Sequence, residues 1–178
     1  MTQVINLAEV RLLIATKKGY QNWLTHFKEE FGIKTKISQL SIKTLSFLAQ
    51  GKDQSSFYLY ELIMNIHNLG SGFLFNELRA KEKMRVIDQS LFILDLVRFE
   101  CMKRLGWLEK YAGEQYTLVE LISNFDQIAP NLQSCIPELS KGHPDYKVYS
   151  CMNTLDQETF IRKLIPQALK DVKEQCQE

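Results

Sequence analysis

Apolar residues recur along most of this chain at the three- and four-residue spacing of helices that bury one side. Val10, Leu13, Ile14, Trp23, Leu24, Phe27 and Phe31 keep near that period, with Gly19 as an expected weak point and Gly32 as a stop. A second segment, 38–50, presents Leu40, Leu45 and Leu48 and ends at Gly51. A third, 57–68, follows the capping candidates Asp53, Ser55 and Ser56 and stops at Gly70-Ser71-Gly72. After a short turn at 73–78 comes the longest apolar element, about 81–105, closed by Gly106.

The one strand signal follows that element. Residues 107–111 and 115–118 flank Ala112-Gly113-Glu114 and read as a small hairpin with glycine in the turn. A helix at about 119–128, a connection punctuated by Pro130, Pro137 and Pro144, and a last helix from Thr154 or Asp156 to about 175 complete the pattern. Pro166 inside that last helix predicts a kink or a restart. The expected architecture is mainly α: a single-domain helical bundle over 1–178, built around a central apolar helix at about 81–105, with one small β-hairpin at about 107–118.

Projected at 100° per residue, the central helix places Met84, Ile87, Leu91, Leu94, Cys101, Met102 and Leu105 on one apolar arc, with Arg98 inside it. Val86, Phe92, Ile93, Leu96, Val97 and Phe99 carry apolar surface around most of the rest, as suits the middle of a bundle. A guanidinium enclosed there needs a partner. Asp95, one turn earlier, and Glu61, on the neighbouring helix, are the expected ion-pair partners, which makes Arg98 a lock on helix register. Its planar fork also suits a carboxylate or phosphate. In that second reading Arg98 anchors a small anionic ligand, walled by Tyr58, Tyr60, His67 and Trp107.

Residues 57–69 are apolar on two sides. Tyr58, Leu59, Leu62, Ile63, Ile66 and Leu69 form one stripe; Phe57, Tyr60 and Met64 form another. The second stripe is either covered within the domain or is an interface for a protein partner or a second copy.

Composition narrows the classes. With 178 residues, 45% apolar, 24% charged and a net charge of +1, the chain is neither collagen-like, disulfide-dense nor disordered, and carries no broad charge for nucleic acid. The charge is uneven: residues 1–50 hold seven Lys/Arg against three Asp/Glu, and residues 114–178 hold six against ten. That polarity suits head-to-tail association, or reflects only solvated faces that differ by chance. No apolar run approaches the ~20 residues of a membrane span, and Arg11 interrupts the one stretch resembling a signal-peptide core. Four cysteines without a C-x-x-C pair fit reduced thiols in a cytoplasmic protein.

Catalytic chemistry finds no foothold. Neither H-E-x-x-H nor E-x-x-H occurs, Gly70-Ser71-Gly72 lacks the rest of a nucleophile elbow or phosphate loop, and Cys135, His143 and Cys151 are too widely spaced for a metal site. No catalytic residue, metal or cofactor is assigned. A helix followed by a hairpin is also how winged-helix DNA readers end, yet here only Lys103, Arg104 and Lys110 are placed to meet phosphate, so nucleic acid is not the expected partner. The expected function is a non-enzymatic protein–protein interaction or regulatory module, a homo-oligomer or a subunit of a complex, docking through Phe57, Tyr60 and Met64. Anion binding at Arg98 and winged-helix-like DNA binding are the alternatives.

Overall fold

The structure, a computed structural model, describes residues 6–133 and 135–176. Helix α1 (Leu7–Phe27) starts where the Asn6 side chain accepts a hydrogen bond from the Ala8 amide, and ends at Lys28 in the left-handed region (φ 58°). A 3-10 turn (Ile37–Gln39) leads to α2 (Ile42–Leu48), capped by the Ser41 hydroxyl, and then to α3 (Asp53–Ile66). A second 3-10 turn (Gly72–Glu77) precedes α4 (Ala80–Arg104), and β1 (Leu108–Lys110) follows it. The remainder comprises α5 (Leu118–Ser123), α6 (Phe125–Gln133), β2 (Glu138–Leu139), α7 (Tyr146–Ser150) and α8 (Thr154–Gln175). The chain is thus mainly helical with one small two-stranded antiparallel sheet, the fold class its periodicity predicts. Among the described residues no helix is long and apolar enough to cross a membrane.

Several local expectations change. The partner of β1 is β2, in the register Leu108↔Leu139, and not the adjacent 115–118 segment. Gly113 (φ 99°) turns the chain away, and Thr117 is committed to starting α5, its hydroxyl accepting from the Glu120 amide while the Glu120 carboxylate accepts from the Thr117 amide. Asn124 divides the helix expected at 119–128 into α5 and α6. Helix α8 does not restart at Pro166 but continues over Thr154–Gln175, with Pro166 and Arg162, whose carbonyl loses its amide partner, both exposed residues. Gly19 is no weak point. A Cβ there would come within 2.9 Å of Leu62 Cδ1 and 3.3 Å of Leu62 Cα, so its absence lets α1 and α3 approach closely.

Helix α4 is the element the others wrap, packing on α2, α3, α8, β1 and the first 3-10 turn. Its inward face overlaps the projected arc in part, since Leu94, Cys101 and Met102 of that arc are buried. Val86, Gln89, Ser90, Ile93, Val97, Glu100 and Cys101 point in, whereas Met84 and Leu91 are exposed. Around it lie two apolar clusters. The larger includes Trp23, Leu45, Leu62, Ile93, Val97 and Leu121; the smaller gathers Met102, Leu108, Leu139, Tyr149, Ile161 and Ile165.

Candidate functional site

Arg98 is not enclosed among hydrocarbons. Its side chain keeps a quarter of its surface in water (25%), its Nε donates to the Ala49 carbonyl at 3.1 Å, and Nη1 lies 4.0 Å from Asp95 Oδ1. Ala49 is the C-terminal cap of α2, so this cation meets the negative end of a helix. Asp95 answers Arg162 more closely, at 3.0 Å. The cavity beside α4 is lined by Asp95 and Arg162 and not by Arg98. Glu61, the other expected partner, is occupied elsewhere: its carboxylate accepts from Ser71 Oγ (2.9 Å), from the Gly72 amide and from Asn65 Nδ2 (3.1 Å).

The proposed pocket walls are dispersed. Tyr58 sits among His26, Phe27 and Phe47, with its carbonyl accepting from Trp23 Nε1 at 3.0 Å. Tyr60 stacks on Phe75, and Trp107 lies against His143. His67 caps α3 and places Nε2 2.9 Å from Gln89 Oε1; burial lowers its pKa below the ordinary value. Of the expected interface of Phe57, Tyr60 and Met64, Met64 lies inside the core, and Phe57 and Tyr60 are half-buried beside the second 3-10 turn. Phe73 packs on Phe57 with ring centroids 4.8 Å apart, and Phe75 lies 4.6 Å from Tyr60. Phe73 and Phe75 belong to that turn, which is clasped to α3 by Glu61. Gly72 lets the backbone come that close, since a Cβ there would meet Glu61 Oε2 at 2.9 Å and Phe57 Cε2 at 3.1 Å.

The charge that α4 does bury is Glu100, 4% exposed. Arg104 Nε donates to its Oε1 at 3.0 Å and Tyr111 Oη to its Oε2 at 2.9 Å, while Arg104 Nη2 reaches the Ser38 carbonyl at 2.8 Å. Burial, and then Glu100, push the Tyr111 phenol up, so it remains a donor. Lys103 pairs with Glu114, and Lys110 with Glu138 at 3.8 Å. Each of the three cations expected to meet nucleic-acid phosphate therefore faces a carboxylate of its own chain, and the strand after α4 pairs with β2 and not with the segment next to it.

Among the described residues the largest group of exposed apolar side chains lies on α1; Phe73 (80% exposed), Leu74, Met84, Leu91, Val148 and Leu155 are exposed elsewhere. Helix α1 has 21 residues and α3 has 14, so at 1.5 Å per residue α1 is about 10 Å longer. The two run antiparallel, with Trp23 at Tyr58, Gly19 at Leu62, and Leu12 and Ala15 sharing a cavity wall with Ile66. The first turns of α1 overhang. Leu7 (69% exposed), Leu13 (55%) and Ile14 (51%) are bared there, and Val10 and Leu24 are exposed as well. Beside this strip the chain returns after α1 and leaves a groove of about 660 Å³. Leu13, Lys17, Tyr20 and Leu24 form one wall; Glu30, Phe31 and Ile33 form the other. Tyr20 stacks on Phe31, and burial pushes its phenol pKa up; its hydroxyl has no hydrogen-bond partner among the described residues. Sequence periodicity lists the apolar residues of α1 but assigns them all to a core.

Among the described residues no group of three or more His, Cys, Asp or Glu is placed to hold a metal ion. All four cysteines are free, Cys101 buried and the others exposed. Comparison of the chain with protein-family models, with curated proteins and with solved structures finds no match, so any functional reading stands on this geometry alone.

Proposed function

We propose that this chain is a non-enzymatic protein–protein interaction module that self-associates through the exposed face of α1. The observation that carries the reading is the row Leu7, Val10, Leu13, Ile14 and Leu24, apolar and in water beside a groove. Apolar side chains gathered on the exposed side of one helix cost solubility and suit an interaction site. It replaces Phe57, Tyr60 and Met64 as the docking surface. Free cysteines, three of them exposed, fit a reducing compartment such as the cytoplasm. Anion binding has no comparable support, because Arg98 already serves a main-chain carbonyl and Asp95.

Light scattering on a size-exclusion column tests the reading. The wild-type chain is expected to gain mass as concentration rises toward the millimolar range. Leu13→Glu/Ile14→Glu, with unchanged circular dichroism, is expected to remain a monomer. A wild type that is monomeric throughout, or a variant that associates as the wild type does, overturns it.

A further inference from the structure

Residues seven apart lie on nearly the same side of a helix, so α1 resolves into lengthwise lines. Leu7, Ile14 and Gln21 form one line, and Val10, Lys17 and Leu24 the next. All six are exposed, and together they make a row at the 3.5-residue spacing by which one helix receives another. Arg11 and Lys18 border that row on the side of Leu7 and Ile14. Arg11, Lys17 and Lys18 are exposed and make no ion pair among the described residues. Glu9, the one carboxylate of α1, falls in line with Thr16 and Trp23, which are buried on another side of the helix. The outward face is therefore apolar and carries three cations, although the whole chain has a net charge of only +1.

Charge and shape then choose the occupant. A second copy pairing α1 with α1 brings the same three cations from each side onto one seam, and like-charge repulsion keeps that association weak. An anionic lipid surface would suit the cations, but the groove runs along the other edge of the row and its far wall carries Glu30. A helix can lie against both the row and that wall, whereas a flat anionic surface meets the carboxylate. Resting on the reading of α1 as an interface, we infer that this face receives an amphipathic helix of a different protein, apolar along one row and acidic beside it, in preference to a second copy. Leu7, Val10, Ile14 and Leu24 take the apolar row, and carboxylates on its flank meet Arg11 and Lys18. From Leu7 to Leu24 the row spans about 25 Å, so a helix of about 17 residues fills it. Charge pairs at the rim set specificity and speed encounter, so the complex weakens in salt.

Fluorescence anisotropy with two labelled synthetic helical peptides tests this, at protein concentrations low enough for the chain to be monomeric. Both peptides carry the same leucine row; one has glutamates on its flanks and the other lysines. The wild-type chain is expected to bind the glutamate peptide at least about tenfold more tightly than the lysine peptide, and less tightly as salt rises. Ile14→Ser is expected to weaken both about tenfold, and Arg11→Glu/Lys18→Glu to reverse the preference. All three positions are exposed, and circular dichroism confirms that the variants fold. Equal binding of the two peptides, a charge-reversed variant that keeps the wild-type preference, or Ile14→Ser binding like the wild type overturns the inference. So does a chain that binds vesicles of anionic lipid and not the glutamate peptide. In each of these cases light scattering on the chain alone still decides whether α1 joins two copies. A chain that discriminates between the peptides yet never associates with itself removes the self-association and keeps the inference; one that does neither overturns both.

Discussion

Arg104→Met should be among the most damaging single changes on the surface of α4. It removes the cation from Glu100, which is 4% exposed and keeps only the Tyr111 hydroxyl at 2.9 Å. Breaking a fully buried pair from one side costs about 3–5 kcal/mol, because the remaining charge is stranded. Arg104 keeps 27% of its side chain in water, so solvent enters the gap and the expected loss is about 2–3 kcal/mol. Part of that loss is the 2.8 Å bond from Arg104 Nη2 to the Ser38 carbonyl, which ties the segment before α2 to the end of α4. The double variant Glu100→Gln/Arg104→Met removes the stranded charge together with its partner and keeps an acceptor for the buried Tyr111 hydroxyl. It should recover more than half the loss and fail to recover the Ser38 bond. Urea unfolding with an unchanged slope measures both. A loss under about 0.5 kcal/mol for Arg104→Met, or a double variant no more stable than the single one, would refute the account.

Other consequences are equally direct. Gly72→Ala drives a methyl group against Glu61 and Phe57 and should cost about 1–3 kcal/mol in chemical denaturation, with a rise in exposed-aromatic dye binding as the second 3-10 turn lifts. Burial lowers the His67 pKa, so the unfolded chain takes up that proton first: stability is complete above 6.5 and declines as pH falls toward the depressed folded value. His67→Gln should flatten that part of the stability curve, and an unchanged curve would count against the assignment. Burial alone would raise Glu29, but hydrogen bonds from Ser41 and Thr44 outweigh it and hold its pKa below 4.5, so a separate decline should begin below that pH and disappear in Glu29→Gln. Arg98→Met removes a helix-end contact and a long, half-exposed ion pair with Asp95, with an expected loss near 1 kcal/mol in a thermal or urea melt; a loss above about 3 kcal/mol would mean the guanidinium is far more buried than its exposure indicates.

Helices and their order were legible because a 3.6-residue period survives any tertiary context, and α4 begins and ends within a residue of its expected limits. What periodicity could not supply was which side of each helix meets a neighbour. On α4 the inward row includes Gln89, Ser90 and Glu100, and a count of apolar residues passes over all three. Glu100 and Arg104, one turn apart and in line with Ile93 and Val97, were the available signal. For Arg98 the sequence named Asp95, which it does face at 4.0 Å, but not its closer partner, a main-chain carbonyl 49 residues away, which no search among side chains detects. Strand β2, two residues long in a proline-bearing connection, has no period to read. The bare strip on α1 follows from a mismatch in length between α1 and α3, which emerges only once the two are known to pair.

The Glu61 clasp has a consequence for biosynthesis. It joins positions only 11 residues apart, and loops of that size close in about 10–100 ns, far faster than residues are added to a growing chain. The turn that follows α3 can therefore fold back over its aromatic stripe as soon as both have left the exit tunnel, without waiting for α4 to pack. A nascent chain whose emerged part ends at Gly70 would present that stripe to chaperones, and one that has emerged a dozen residues further would fold the turn onto it.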